Sequence, residues 1–260
     1  MTASILIEGK IAINAVLNSK YRKVLTLFYD VAKLKRKRDI KHAKSLKKIL
    51  ESANSKEIKV EAVDHKWFEK NAKGKTHGGI AATVSERTYQ EIHELPRSKL
   101  SVIFFLDGIE DPYNLGYTIR SLYTAGIDGI VIKQRNWLDV EPIIIKSSAG
   151  TSELMPIALV EDLKTTASFF KSNNFTIVCT TKDKGKSIFE SNLKPPIFVV
   201  IGGEKRGIDH AFLEIADLQY TIPYKRDFTG SLPLSSAATV IGFEILRQRD
   251  YSQKTYIKHT

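Results

Sequence analysis

Three stretches carry residues that could do chemistry. The first, residues 106–132, reads LDGIEDPYNLGYTIRSLYTAGIDGIVI. A strand ends at Asp107, a polar loop with a proline follows, and a helix begins near Asn114. This order puts Asp107, Glu110 and Asn114 at the carboxyl edge of a strand, where open α/β sheets bind ligands. Arg120 stands on a helix otherwise filled by Leu115, Ile119, Leu122 and Tyr123. Its planar guanidinium suits a phosphate oxygen pair. A plainer reading is an Asx turn capping the helix, with the arginine reaching to solvent.

In the second stretch, FVVIGGEKRGID at 198–209, an apolar strand runs straight into a glycine-rich turn. Glycines there let a ligand approach the main chain closely. The spacing is GGExxG rather than the dinucleotide GxGxxG, and an ordinary tight turn is the alternative. The third, residues 220–249, runs from a short strand through a polar loop at Gly230-Ser231-Leu232 into a long helix. Small residues at its start (Ser235, Ser236, Ala237, Ala238) permit close packing, with Ser235 or Ser236 as its N-cap.

Other signatures are absent. GKT at 74–76 lacks the glycine that a phosphate-binding P-loop needs five positions before Gly74, where Glu69 stands. The histidines form neither an i,i+4 pair nor HExxH, and Cys179 is the single cysteine. The expectation is no metal site, no disulfide and a reducing, cytoplasmic setting. No stretch approaches the roughly 18 apolar residues of a membrane span. The start, MTASILIEGKIAIN, does not have the layout of a secretory signal.

The elements that must position these residues alternate. The runs 102–106, 130–132, 176–179, 197–201 and 220–222 are continuously apolar, which fits strands covered on both faces in a parallel sheet. Helical patterns at 115–125, 161–171 and 235–248 lie between or after them. Ahead of these, strands at 24–28, 58–60 and 79–84 with helices near 9–17, 40–50 and 64–70 make a smaller α/β unit. The expected division is 1–95, a linker at 96–100, and 101–260.

Charge separates the two parts. Of 40 Lys and Arg, 22 fall in residues 1–100 against 11 acidic residues, while the remainder carries 18 of each sign. Nine of the sixteen residues from Lys33 to Lys48 are basic, including Lys33, Lys35, Arg36, Lys37 and Arg38. Such a run suits a polyanion, since neutralising phosphates releases counterions. The alternative is a solvated basic face.

Taken together and in order, DPYNLGYTIRSLYTAG at 111–126, GGEKRG at 202–207 and IPYKRDFTGSLPLSSAA at 222–238 resemble the three motifs of the SpoU (TrmH-type) RNA ribose 2′-O-methyltransferases of the SPOUT superfamily. IEGKIAINAVL at 7–17 and HGGIAATV at 77–84 resemble the ribosomal-protein-like RNA-binding domain often fused ahead of them. The resemblance implies a parallel-sheet trefoil-knot domain, S-adenosylmethionine as methyl donor, and a homodimer through the knotted domains. It implies catalytic roles for Arg120, Asn114 and Glu204, and a main-chain cofactor site at Gly202, Gly203, Ile222, Ser231 and Leu232. It implies RNA as substrate, ribosomal rather than transfer RNA. One departure stands out: Pro233 replaces the usual asparagine of the third motif, removing an amide side chain and a backbone donor. Transfer RNA as substrate, or a catalytically impaired assembly factor, are the alternatives.

Overall fold

The computed structural model describes residues 4–34, 40–74, 77–95, 98–182, 185–194, 196–203 and 207–250. They form two compact units, Met1–Thr88 with Asn136–Leu154, and Tyr89–Arg135 with Met155–Thr260.

The first unit begins with β1 (Ser4–Glu8) and α1 (Lys10–Leu17), followed by β2 (Val24–Asp30) and the short α2 (Val31–Leu34). Next come α3 (Ile40–Ser55), β3 (Lys59–Val63), α4 (His65–Asn71) and β4 (Ile80–Ser85). Its sheet has the order β1-β4-β2-β3, with β2 and β3 parallel and the other neighbours antiparallel. Leu46, Ile49 and Ala53 recur at helical spacing, which is why α3 turns one face inward against Ile13, Val16 and Leu27. Asp64 caps α4 by accepting the Trp67 N–H. β1 is a strand that sequence reading missed.

The second unit opens with β5 (Val102–Leu106), α5 (Pro112–Thr124) and β6 (Gly129–Lys133). The segment Asn136–Leu154, with α6 (Glu141–Ser147), groups with the first unit. The physical reason lies in two contacts: Ile145 joins the first unit's core, and Arg22 pairs with Glu141 at 2.9 Å and Glu153 at 2.8 Å.

The remaining elements are β7 (Ile157–Val160), α7 (Leu163–Ser172), β8 (Thr176–Thr180), β9 (Lys186–Ser187), β10 (Ile197–Ile201), α8 (His210–Ile215), β11 (Leu218–Thr221) and α9 (Leu234–Asp250). The sheet order is β7-β6-β5-β10-β8-β11-β9, with every pairing parallel. All five residues of β5 and of β10 are buried, as their unbroken apolar runs require. Phe105, Phe170, Phe198 and Phe212 fill the core on one face. On the other side α9 packs on α5, where Gly242 lies against Leu122. Among the described residues no helix is long and apolar enough to cross a membrane.

Candidate functional site

Because every strand pairing is parallel, the loops after β5, β6, β8, β10 and β11 share one sheet edge. Two cavities lie along it. The first, about 260 Å³, is lined by Thr180 at the end of β8 with Thr181 and Lys182 after it, by Gly202 and Gly203 after β10, and by Ile222 and Tyr224 after β11. Ser231, Leu232 and Ala237 close it. The second, about 610 Å³, is lined by Asp107, Glu110, Asp111 and Asn114, by Lys133, and by Asp209 and His210. Gly203, Gly207, Ile208 and Leu234 line both, so the two cavities share a wall.

Local sequence explains each wall. Asp111 caps α5 by accepting the Asn114 N–H at 2.8 Å, and Pro112 takes the first turn, where no donor is needed. The helix thus starts at Pro112, earlier than the expected start near Asn114, and Asn114 lines the second cavity. After β10, the Gly207 N–H donates to Gly203 O at 2.9 Å. Gly207 has φ +67, which glycine adopts without strain. Gly202 is required for space instead: a Cβ there would sit 2.3 Å from Gly207 C and 2.5 Å from Ile208 N.

The third stretch closes the first cavity from above. Tyr224 Oη accepts the Leu232 N–H at 2.8 Å, and Lys182 donates to Thr229 O, pinning the loop before α9. α9 begins at Leu234, so Ser235 lies inside its first turn rather than capping it. Pro233 O accepts from Ala237 N at 3.0 Å. Proline therefore stands at a helix start, a place that tolerates its missing N–H.

The five residues expected at the cofactor, Gly202, Gly203, Ile222, Ser231 and Leu232, all line the first cavity. Its apolar side chains and strand-end main chain fit an adenosyl group, with Thr180, Thr181 and Lys182 supplying polar atoms that the sequence did not single out. Asn114 lines the second cavity. Arg120 lines neither; it is exposed on the outer face of α5. Glu204 lies outside the described residues, as do Lys35, Arg36, Lys37 and Arg38. Lys33 is half-buried in the first unit, its stem close to Gly79.

Buried Asp107 organises the shared edge. One carboxylate oxygen pairs with Lys133 Nζ at 2.9 Å and the other accepts the Asp209 N–H at 2.7 Å. Behind it, burial and then the negative charge of Asp107 push the Cys179 thiol up to about 12. Lys133 did not stand out in the sequence because it belongs to no spaced motif, and Tyr224, inside the third motif, carried no assigned role there.

Comparison with known proteins gives the family. Residues 101–243 match the SpoU rRNA Methylase family, and residues 6–90 match the RNA 2′-O ribose methyltransferase substrate binding family. The chain is 30% identical over 249 residues to the 23S rRNA (guanosine-2′-O-)-methyltransferase RlmB of Yersinia pestis, covering 94% of this chain and 97% of that one. It is also 30% identical over 211 residues to a Staphylococcus saprophyticus chain assigned to the TrmH family of tRNA/rRNA methyltransferases, covering 79% and 84%. Among solved structures, the SpoU methyltransferase AviRb from Streptomyces viridochromogenes superposes with a TM-score of 0.79 at 20% identity, over 97% of this chain and 92% of that one. An AdoMet-bound rRNA methyltransferase from Sinorhizobium meliloti gives 0.76 at 20% identity, over 95% and 88%.

Proposed function

Since the chain belongs to the SpoU rRNA methylase family, we propose that it methylates a ribose 2′-hydroxyl of RNA, ribosomal rather than transfer RNA, using S-adenosylmethionine. The observation that carries this reading is the shared wall: the residues expected at the cofactor line one cavity, and Asn114 lines the cavity next to it. When bound, the cofactor supplies an electrophilic methyl group on a sulfonium. Transfer to the 2′-hydroxyl oxygen would release the neutral thioether S-adenosylhomocysteine, and the hydroxyl proton would pass to solvent.

This chain's residues then have distinct tasks. Gly202, Gly203, Ile222, Ser231 and Leu232 hold the cofactor, mainly through main-chain groups. Asn114 and Glu204 orient the acceptor, which matters because a neutral hydroxyl is a weak nucleophile and gains most from placement. Arg120 grips substrate by its guanidinium. The basic N-terminal unit, with Lys33, Lys35, Arg36, Lys37 and Arg38, holds the RNA electrostatically.

A homodimer accounts for the position of Arg120. Tyr113 and Tyr117 on α5 are 52% and 51% exposed, and Phe243 on the adjacent α9 is 44% exposed. Aromatic side chains grouped on one face mark interaction surfaces. Arg120 lies on that face of α5, so pairing of two copies would bring it to the neighbouring subunit. Preference for ribosomal RNA is supported by the relative that matches nearly full length and is named for 23S rRNA. A reducing cytoplasmic setting fits a buried, unpaired Cys179.

The test is transfer from labelled S-adenosylmethionine to separately purified, unmethylated rRNA and tRNA, followed by alkaline hydrolysis. Label in alkali-resistant dinucleotides from rRNA is the expected result. Label in mononucleotides would mean base methylation, and label in tRNA alone would reverse the substrate assignment.

A further inference from the structure

The second cavity poses an electrostatic problem. Its described lining includes the carboxylates of Asp107, Glu110, Asp111 and Asp209, yet by the reading above it must admit a phosphodiester-flanked ribose. Among those described lining residues, Lys133 is the only lysine or arginine. Arg120 is exposed on α5 and lines neither cavity of its own chain, and Arg135 beside the cavity donates to the Glu110 carbonyl at 3.2 Å.

Lys133 is held in a defined place. It is the last residue of β6, and the register Leu106↔Ile132 brings the next pair, Asp107 and Lys133, side by side at the sheet edge. Asp107 is 3% exposed, and both its oxygens are occupied, by Lys133 Nζ at 2.9 Å and by the Asp209 N–H at 2.7 Å. The Lys133 side chain is 44% exposed. An ammonium has three donors, and Asp107 takes one. The buried carboxylate therefore fixes the cation without using it up.

Resting on the methyltransferase reading, we propose that Lys133 is a substrate-positioning residue, anchoring an RNA phosphate next to the ribose that receives the methyl group, with Asp107 holding it in place. The chemistry is specific in one respect. A 2′-hydroxyl sits beside the 3′-phosphate on the same sugar, so a cation fixed at the rim of the acceptor cavity orients the hydroxyl by holding its neighbour. A lysine acts here as a point charge, so arginine should substitute largely but not fully.

The experiment uses the full chain, in vitro transcribed 23S rRNA, and the variants Lys133→Met, Lys133→Gln and Lys133→Arg. RNA affinity is measured as a function of salt, S-adenosylmethionine affinity by calorimetry, and turnover as separate kcat and KM. Loss of one phosphate contact should lower the slope of log affinity against log salt by about one. KM for RNA should rise roughly tenfold, the loss of one charge-assisted contact. The kcat value should change less, cofactor affinity should stay within twofold, and Lys133→Arg should recover most of the loss. An unchanged salt slope and KM in both neutral variants would overturn the proposal, leaving Lys133 a partner that merely neutralises Asp107. So would a loss of cofactor affinity and melting temperature with the salt slope intact, because that is the mark of a structural ion pair. Failure of the underlying reading shows separately, as a wild-type protein that binds S-adenosylmethionine but methylates neither rRNA nor tRNA. Even then the salt slope of binding still decides the role of Lys133.

Discussion

The close approach of the chain at Gly202 offers the sharpest test of how the two cavities are built. An alanine there would place Cβ 2.3 Å from Gly207 C, 2.5 Å from Ile208 N and 2.6 Å from Gly207 O. Carbon atoms settle at about 3.5 Å or more, so the Gly207–Ile208 backbone must retreat by about 1 Å. All three obstructing atoms are main chain, and no side-chain rotation relieves them. Overpacking of this kind costs about 1–3 kcal/mol. Gly207 and Ile208 line both cavities, so the strain falls on both ligands at once. At about 1.4 kcal/mol per tenfold, Gly202→Ala should weaken S-adenosylmethionine binding roughly tenfold or more. A displacement of about 1 Å between reacting groups can cost a further factor of about 100 in rate. Calorimetric titration and single-turnover methyl transfer measure the two effects. Gly126→Ala is the matched control. Gly126 has φ +74, and a Cβ there would meet nothing within 4 Å, so this variant should lose about 1 kcal/mol of stability and keep its activity. Cofactor affinity within twofold of wild type in Gly202→Ala, with an unchanged rate, would refute the argument that this glycine is required for space.

Further outcomes follow from other parts of the molecule. Glu153 is 1% exposed and faces Arg22 at 2.8 Å and Arg87 at 3.7 Å, so Glu153→Gln leaves buried positive charge uncompensated. That should cost about 3–5 kcal/mol, read as a fall of about 10 °C in melting temperature. The Cys179 thiol, pushed up to about 12 by burial, should resist a thiol reagent at pH 8 in the native protein and react on unfolding; fast native modification would contradict its burial. Arg120→Ala should lower turnover about 100-fold with cofactor affinity intact, and an equal loss of both would remove its assigned role. Replacing Lys35, Arg36, Lys37 and Arg38 by alanine should weaken RNA binding and flatten its salt dependence; an unchanged slope would make that run a solvated face.

Much of this chain was legible because its information is local. The unbroken apolar runs of β5 and β10 announced strands covered on both faces, and Leu115, Ile119 and Leu122 announced a helix, although its start was read near Asn114 and stands at Pro112. Gly202, Gly203, Ile222, Ser231 and Leu232 were identifiable as a set only through the order of three motifs, and the folded chain brings all five to one cavity. The short strands Ser4–Glu8 and Ile157–Val160 were not read from the sequence.

What only the tertiary structure decided are the relations between distant segments. No spacing rule places Thr180, Thr181 and Lys182 beside Gly202, because that follows from β8 pairing with β10. Nor does any rule send Asn136–Leu154 to the first unit, where ion pairs with Arg22 and the packing of Ile145 hold it. The partnership of Asp107 with Lys133 depends on the register of β5 against β6, and the exposure of Arg120 on which face of α5 meets α9. Propensity and capping act within a few residues of chain, whereas strand order, register and helix facing are set by burial of the whole core at once.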